Sequence, residues 1–334
     1  MTRAPARMES LRVCHRPDEW AQTLAATAPG AGTALTIGIF DGIHLGHQQI
    51  LRRVAEAANN SAPPLLAGAV TFDPHPFRVL RPEQAPPLIA TLEQRFAGFQ
   101  AQGLQAVLVL QFDVALSRLS PQDFVRTILV DQLCVSSVFI GENFRFGHRQ
   151  AGDVAMLAEL GRKFGFTAQV VPPVRVGDEV VSSTAIRGAI QEGDAGRAAS
   201  FLGRPFALTG QIQPGAGRGR TVLFPTLNLA PQQELLPKAG VYVTETQVGG
   251  RPYRSATNVG YRPTVDSAGG RLTVESHLFD FTGQIASGPM QVAFLHRLRD
   301  EMKFDGIDSL RAQIAQDLDR ARAFFSEAGS GQPH

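Results

Sequence analysis

Cysteine is nearly absent from this chain of 334 residues: Cys14 and Cys134 are the two it has, and they form no C-x-x-C pair. That pattern excludes a disulfide framework and a cysteine-built zinc site, and it fits a reducing, cytoplasmic setting. Long apolar runs are missing too, so no membrane-spanning segment and no membrane partner are expected. The first twenty residues, MTRAPARMESLRVCHRPDEW, lack the apolar stretch of a secretory signal. Charge of one sign is also lacking. Lys and Arg total 32 against 30 Asp and Glu, a formal net charge of +2. With no long Lys/Arg block, nucleic acid is not an expected partner. The arginine clusters that do occur sit beside glycines, which suits a small anion better than a polymer. There is no internal repeat.

What is present suffices for two ordinary globular cores. The length favours two domains, and 43% hydrophobic with 19% charged residues supports burial on that scale. The first half alternates short apolar runs with amphipathic helical patterns. TALTIGIF (33–40), LLAGAVTF (65–72), AVLVLQF (106–112), SSVFIG (136–141) and TAQVVPPV (167–174) read as strands covered on both faces. Ile50, Leu51, Val54, Ala55 and Ala58 recur at helical spacing. Ser120-Pro121-Gln122-Asp123 is a helix start, with a capping hydroxyl, a proline and an acid in the first turn. Such alternation predicts an α/β domain with a parallel sheet, and ligands bind such sheets at the carboxyl ends of the strands.

After about residue 185 the pattern changes to strand-like runs without long helical crossovers: FALTGQI, TVLFPTLNL, GVYVTETQV, RPYRSATNV, RLTVESHLF and MQVAFLHRL. Gly249-Gly250 marks a hairpin turn. This predicts an all-β antiparallel domain, a small barrel, closed by one helix whose Leu310, Ile314 and Leu318 share a face, with Asp308 or Ser309 as its cap. The expected boundaries are 1–190 and 191–328, with a disordered tail at 329–334.

In the first half, Gly38-Ile39-Phe40-Asp41-Gly42-Ile43-His44-Leu45-Gly46-His47 ends a strand and opens a helix in the first βα unit. Glycines permit a tight turn, and a helix N-terminus offers free N–H groups to phosphate. Two histidines in H-x-G-H can add donors; the plain alternative is a turn with two surface histidines. Three further segments are expected at the same sheet edge. Asp73-Pro74-His75 follows the second strand, Gly141-Glu142-Asn143 the fourth, and Ser182-Ser183-Thr184-Ala185-Ile186-Arg187 the fifth. Alone, Ser183 and Thr184 read as caps and Arg187 as a solvated surface residue.

In the second half, Gly215-Ala216-Gly217-Arg218-Gly219-Arg220 is a basic glycine loop, either an exposed hairpin or a cradle for phosphates. Thr226 and Asn228, two apart in Phe224-Pro225-Thr226-Leu227-Asn228-Leu229, share a strand face and offer hard oxygens suited to Mg²⁺. Glu275 lies inside a β-prone run, where a carboxylate is either at an exposed edge or functional. A kinase acting on a primary hydroxyl uses such a carboxylate as base.

The FDGIHLGH, TFDPHP, GENFRFG and SSTAIR segments, in that order over most of residues 33–190, resemble the adenylyltransferase half of the bacterial bifunctional riboflavin kinase/FAD synthetase family. GRPFALTGQI, GRGRTVLFPTLNL, GVYV, NVGYRPTV, TVESHLFDF and LRDEMKFDGIDSLRAQIAQD resemble its riboflavin kinase module over nearly all of 203–322. The resemblance implies a Rossmann-like nucleotidyltransferase domain followed by a six-stranded Greek-key barrel. It implies ATP, riboflavin and FMN as substrates, FMN and FAD as products, and Mg²⁺ as cofactor. His44 and His47 would stabilise charge on the ATP phosphates. Gly38, Phe40, Asp41 and Gly46 would bind ATP at its phosphates, and Ser183, Thr184 and Arg187 would hold the triphosphate. Asp73, Pro74, His75 and Asn143 would line the flavin and nucleotide pocket. Gly215, Gly217, Arg218, Thr226 and Asn228 would bind Mg-ATP for the kinase, with Glu275 as base. Leu223 and Leu227 depart from the family's glycine and alanine, and FTGQIASG lacks its DLYG.

Two other readings are set against this one. A nucleotidyltransferase acting on nicotinamide mononucleotide or phosphopantetheine would have no use for the Thr226–Asn228–Glu275 module. A flavin-binding regulator without catalysis would have no reason to keep His44, His47 and Glu275.

Overall fold

The structure is a computed structural model and describes residues 10–214, 224–262, 271–283 and 285–330. Two compact units part between Val181 and Ser182.

In the first unit the elements run β1 (Arg12–Cys14), α1 (Pro17–Thr27), β2 (Thr33–Ile37), α2 (Leu45–Asn60), β3 (Leu66–Asp73), α3 (Pro76–Leu80), α4 (Leu92–Ala101), β4 (Ala106–Gln111), α5 (Val114–Ser117), α6 (Pro121–Asp123), β5 (Val135–Gly141), α7 (Val154–Phe164) and β6 (Thr167–Val171). Six strands form one sheet in the order β1-β4-β3-β2-β5-β6, with every neighbouring pair parallel. Alternate residues of each strand feed cores on opposite faces. Leu35, Ile37, Val138 and Ile140 join Trp20 of α1 and Leu157 of α7. Ala34 and Phe139 join Val54 and Ala58 of α2. Gly68 is required by this layering, because a Cβ there would lie 2.3 Å from the Trp20 ring.

The parallel α/β architecture is as the periodicity predicts, with differences at the margins. β1 is an extra edge strand of three residues, too short and too exposed to show in a pattern, so the H-x-G-H turn belongs to the second βα unit. β2 stops at Ile37 and not at Phe40, because Phe40 turns to φ 55°. β6 stops at Val171, before Pro172-Pro173. Ser120 does cap a helix, accepting from Asp123 N at 3.1 Å, but after α6 the backbone continues as a π-helical stretch, Phe124–Gln132. A small hairpin, β7 (Arg175–Val176) with β8 (Glu179–Val180), separates β6 from the Ser182 segment.

The second unit holds α8 (Ser183–Glu192), α9 (Ala195–Leu202), β9 (Phe206–Gln213), β10 (Leu227–Pro231), β11 (Gly240–Val248), β12 (Arg251–Arg262), β13 (Arg271–Leu278), β14 (Pro289–Arg299) and α10 (Ile307–Ser330). The strands close a six-stranded antiparallel barrel in the order β10-β13-β12-β11-β14-β9. β11, β12 and β13 form a meander and β10 lies beside β13, which is Greek-key connectivity. Its interior is apolar at Val259, Val274, Val292 and Phe294. It also holds five fully buried hydroxyls in a chain: Thr246 to Ser255, Ser255 to Thr244, Thr244 to Thr257 and Thr257 to Ser276, each 2.7–2.8 Å.

α10 covers the outer face, setting Leu318, Ala321 and Phe325 against Val243, Ala256 and Phe279. It begins at Ile307, so Asp308 and Ser309 lie inside its first turn and neither is the cap; the Ser309 hydroxyl donates to Gly306 O at 2.8 Å. It runs to Ser330, so the expected tail loses its first two residues to helix. Cys14 is buried, Cys134 is exposed, and both are free thiols. No helix among the described residues is long and apolar enough to cross a membrane.

Candidate active sites

From β2 the chain moves outward in one direction through β3 and β4, then returns to the other side of β2 as β5. The crevice beyond the carboxyl ends of β2 and β5 is therefore the switch point of the sheet, the place where such folds bind ligands. The H-x-G-H turn follows β2 and Asn143 follows β5, so both border this crevice. Asp73, Pro74 and His75 follow β3, the next strand along. Three of the four expected segments thus share one sheet edge.

The turn itself is strained and braced. Phe40, Gly42 and Ile43 all have positive φ, at 55°, 84° and 43°. The two non-glycine residues there store on the order of 1–3 kcal/mol each, so the surroundings must hold them. Support comes from α4 and the residues before it. The Asp41 carboxylate, 2% exposed, accepts from Ile89 N at 3.0 Å and Ala90 N at 3.1 Å. Phe99 meets the Phe40 ring edge-on at 5.3 Å. Arg95, 3% exposed, donates from Nη1 to Ile39 O at 2.9 Å and to Thr71 Oγ1 at 3.3 Å. Burial lowers the Arg95 pKa, and the negative charges of Asp41, Asp73 and Glu93 oppose that shift. Asp41 is thus an anchor of the turn, its carboxylate tied to the backbone just before α4.

His44 caps α2: its Nδ1 accepts from His47 N at 3.3 Å. In the neutral ring that puts the hydrogen on Nε2. Gly46 makes this possible, since a Cβ there would lie 3.2 Å from the imidazole. The His44 and His47 rings stack at 3.6 Å, and Phe40 meets His47 edge-on at 5.2 Å. Burial, then the neighbouring His44, holds the His47 pKa well below the usual histidine value, so His47 is neutral at pH 7. Its Nδ1 is buried without a hydrogen-bond partner. These are not two surface histidines. Gly38 closes against the Phe40 ring, where a Cβ would sit at 3.2 Å. Asp73 ends β3 exposed, a cis peptide joins it to Pro74, and His75 caps α3 by accepting from Phe77 N at 3.1 Å. Asn143 is exposed in the turn after β5.

The fourth segment opens the second unit. The cap of α8 is Ser182, whose hydroxyl accepts from Ala185 N at 3.2 Å, so neither Ser183 nor Thr184 is the cap. Both lie in the first turn, and Arg187 lies one turn further on.

The barrel assembles its residues by register. Asn228 of β10 pairs with Glu275 of β13, and Glu275 pairs with Asn258 of β12. Directly paired residues point to the same face. Ser276 is part of the inner hydroxyl chain, so Glu275 and its partners point outward. Asn228 is 7% exposed and Glu275 half-buried, while Thr226, just before β10, is exposed. β13 has β10 on one side and β12 on the other, so the edge-strand reading of Glu275 is wrong. Glu301 continues the row: a Cβ on Gly260 would lie 2.6 Å from its Oε1 and 2.9 Å from Asn258 Nδ2. Glu301 also lines a cavity of about 480 Å³ with Lys238, Asp300 and Gln191. His277, two residues past Glu275, has Nδ1 2.8 Å from Pro225 O. Gly215, Gly217, Arg218 and Leu223 lie outside the described residues.

Sequence reasoning missed Arg95, Asn258 and His277 as site residues. Arg95 reaches across 56 residues to Ile39, and the Asn258–Glu275 pairing exists only once the barrel closes. No local pattern marks either.

Comparison with known proteins agrees across both halves. Residues 27–185 match the FAD synthetase family and residues 202–325 the riboflavin kinase family. The bifunctional riboflavin kinase/FMN adenylyltransferase of Escherichia coli strain K12 is 35% identical over 299 residues, covering 89% of this chain and 94% of that protein. The protein of the same name from Bacillus subtilis strain 168 is 32% identical over 89% of this chain and 93% of its own length. A crystal structure titled a macrolide-efflux protein from Streptococcus pneumoniae superposes with a TM-score of 0.78 at 29% identity, over 88% of this chain and 94% of that one. With both domains matched in order and nearly the full length shared, the chain belongs to the bifunctional riboflavin kinase/FMN adenylyltransferase family, its N-terminal half an FMN adenylyltransferase and its C-terminal half a riboflavin kinase.

Proposed function

We propose that the two ATP-dependent reactions of this family run at the two residue sets above, with roles assigned as follows. In the kinase half, Glu275 accepts the proton of the riboflavin 5′-hydroxyl as that oxygen bonds to the γ-phosphorus and ADP leaves. Asn228 lies opposite Glu275 across the β10–β13 ladder, and this register is the observation that carries the assignment. Asn228 and Thr226 hold the nucleotide, and on motif alone Gly215, Gly217 and Arg218 join them at its phosphates.

The donors present fit Mg²⁺ in a limited way. Thr226 and Asn228 supply hard neutral oxygens beside one carboxylate, and no cluster of three or more His, Cys, Asp or Glu that could hold a metal occurs among the described residues. Such a set retains the ion only together with ATP phosphates. Bound there, Mg²⁺ supplies neutralisation of phosphate charge.

In the adenylyltransferase half, an FMN phosphate oxygen attacks the α-phosphorus of ATP and pyrophosphate leaves. The nucleophile is already anionic, so alignment and charge stabilisation carry the rate and no strong general base is needed. His44 donates from Nε2, and His47, neutral and stacked on it, acts as a hydrogen-bonding group and not as a cation. Gly38, Phe40, Asp41 and Gly46 set the shape of that turn. On motif, Ser183, Thr184 and Arg187 hold the triphosphate, and Asp73, Pro74, His75 and Asn143 line the flavin and nucleotide pocket. The two free thiols support a reducing, cytoplasmic setting.

The test is a coupled assay: purified protein with riboflavin, ATP and Mg²⁺, following FMN and FAD by chromatography. Glu275→Gln should make little FMN yet adenylylate supplied FMN. His47→Ala should accumulate FMN and make little FAD. Wild-type rates in either variant would refute the role given to that residue.

A further inference from the structure

Backbone pairing between β10 and β13 ends at Leu227 with Ser276. Phe224, Pro225 and Thr226 precede it with no strand assignment. Thr226 is assigned above to the nucleotide, and something outside the ladder must hold it. Pro225 has no N–H, so its carbonyl is its one backbone group for anchoring. That carbonyl lies 2.8 Å from Nδ1 of His277.

His277 is well placed to hold it. It sits on the same face of β13 as Glu275, two residues on. Phe224 meets its ring edge-on at 5.6 Å and Phe279 at 5.8 Å, which fixes the ring plane. A carbonyl can only accept, so the hydrogen must be on Nδ1. Burial lowers the pKa of His277, the bond to Pro225 opposes that shift, and the Arg322 charge on α10 adds to the lowering, so the ring is neutral at pH 7 in the Nδ1–H tautomer. The peptide group is planar and rigid. Fixing the Pro225 oxygen therefore fixes the nitrogen and Cα of Thr226.

We propose that His277 is a positioning residue of the kinase: by donating from Nδ1 to the Pro225 carbonyl it sets Thr226 beside Asn228 and Glu275 before the nucleotide arrives. The inference rests on the assignment of Thr226 and Asn228 to Mg-ATP. One strand, β13, then carries both the base and the clasp of the nucleotide segment. Losing the clasp should weaken ATP binding equally in ground and transition states, which raises KM with little change in kcat.

The experiment uses the full-length protein with two substitutions. His277→Leu keeps bulk and removes the donor. His277→Asn keeps a donor, since the amide nitrogen of Asn reaches about where Nδ1 does. The kinase KM for ATP, its kcat, and adenylylation of supplied FMN are measured for both, with Thr226→Ala alongside. His277→Leu should raise the kinase KM for ATP about 5- to 10-fold, the equivalent of one net hydrogen bond. His277→Asn should stay within about 2-fold of wild type. Adenylylation, which does not use this segment, should be unchanged in both.

An unchanged KM in His277→Leu beside a damaged Thr226→Ala would overturn the clasp alone. An unaffected Thr226→Ala would overturn the nucleotide assignment beneath it. Equal damage in Asn and Leu would show that ring shape matters and the donor does not. Joint loss of both activities would show a general structural role.

Discussion

Arg95→Met is the substitution that best separates local bracing from global stability. The guanidinium is 3% exposed, with Nη1 bonded to Ile39 O and Thr71 Oγ1. Methionine keeps much of the length and removes charge and donors. Two hydrogen bonds at about 1 kcal/mol each would be lost, roughly 2 kcal/mol. Against this, the Arg95 Nε is buried with no partner, and relieving such a group returns about 1–3 kcal/mol. The Thr71 hydroxyl still donates to Ile39 O at 3.3 Å, so that carbonyl is not orphaned. The two contributions nearly cancel, and unfolding free energy should move by no more than about 1 kcal/mol.

The turn, however, loses a brace on the residue just before Phe40, while Asp41 and Asp73 lose their nearby cation. If the roughly 2 kcal/mol of bracing is felt at the reacting phosphate, adenylylation falls about 30-fold. Riboflavin phosphorylation by the same molecule serves as the internal control and should not change. Denaturant unfolding, FMN adenylylation and riboflavin phosphorylation together decide the matter. Unaltered adenylylation, or a parallel fall of both activities with a large stability loss, would refute the reasoning.

Further outcomes follow from other residues. His47 stays neutral in the fold while an unfolded histidine takes up a proton below about pH 6.5, so stability should fall with pH below that point, by at most about 1.4 kcal/mol per unit. The slope of unfolding free energy between pH 7 and 5 should be shallower in His47→Gln than in wild type. Leu318→Ala opens a cavity between α10 and the barrel, where Leu318 is 4% exposed; calorimetry should show a loss of about 2–5 kcal/mol.

The readable parts of the chain were those with local periodicity. Leu51, Val54, Ala55 and Ala58 of α2 face the core as their spacing predicts, and the strands β2 to β6 and β9 to β14 lie where the strand-like runs are, except that β10 begins only at Leu227, so Thr226 lies outside the strand on which its spacing predicts a face shared with Asn228. β1 was invisible because three residues with one side chain buried carry no period. The end of β2 was misplaced because apolar residues continue to Phe40 while its backbone has already turned. At the sites, motif glycines and histidines stood out, since a strand-to-helix turn compresses them into ten residues. The brace from Arg95 and the row Asn228–Glu275–Asn258 could not stand out. They join residues brought together only by the sheet or by barrel closure, and for the same reason an edge position stayed open for Glu275 beside a functional one.

The chain of hydroxyls inside the barrel has a consequence for how β13 tolerates change. Each O–H dipole there must point so that its neighbour can answer it, and Ser276 is the terminal link. The Ser255 hydroxyl donates to the Thr244 carbonyl at 3.0 Å, so it accepts from Thr246 on one side and Thr244 on the other, and Thr244, Thr257 and Ser276 form one run pointing toward it. Ser276 is also the residue between Glu275 and His277, whose side chains leave by the opposite face. The interior thus sets the pitch of the strand on which the outer chemistry hangs. Substituting Thr257, in the middle of that run, should be felt at Glu275 as a change of alignment, substituting Thr246 beyond Ser255 should be felt less, and exchanging the whole set for apolar residues of similar size should disturb Glu275 less than the Thr257 change.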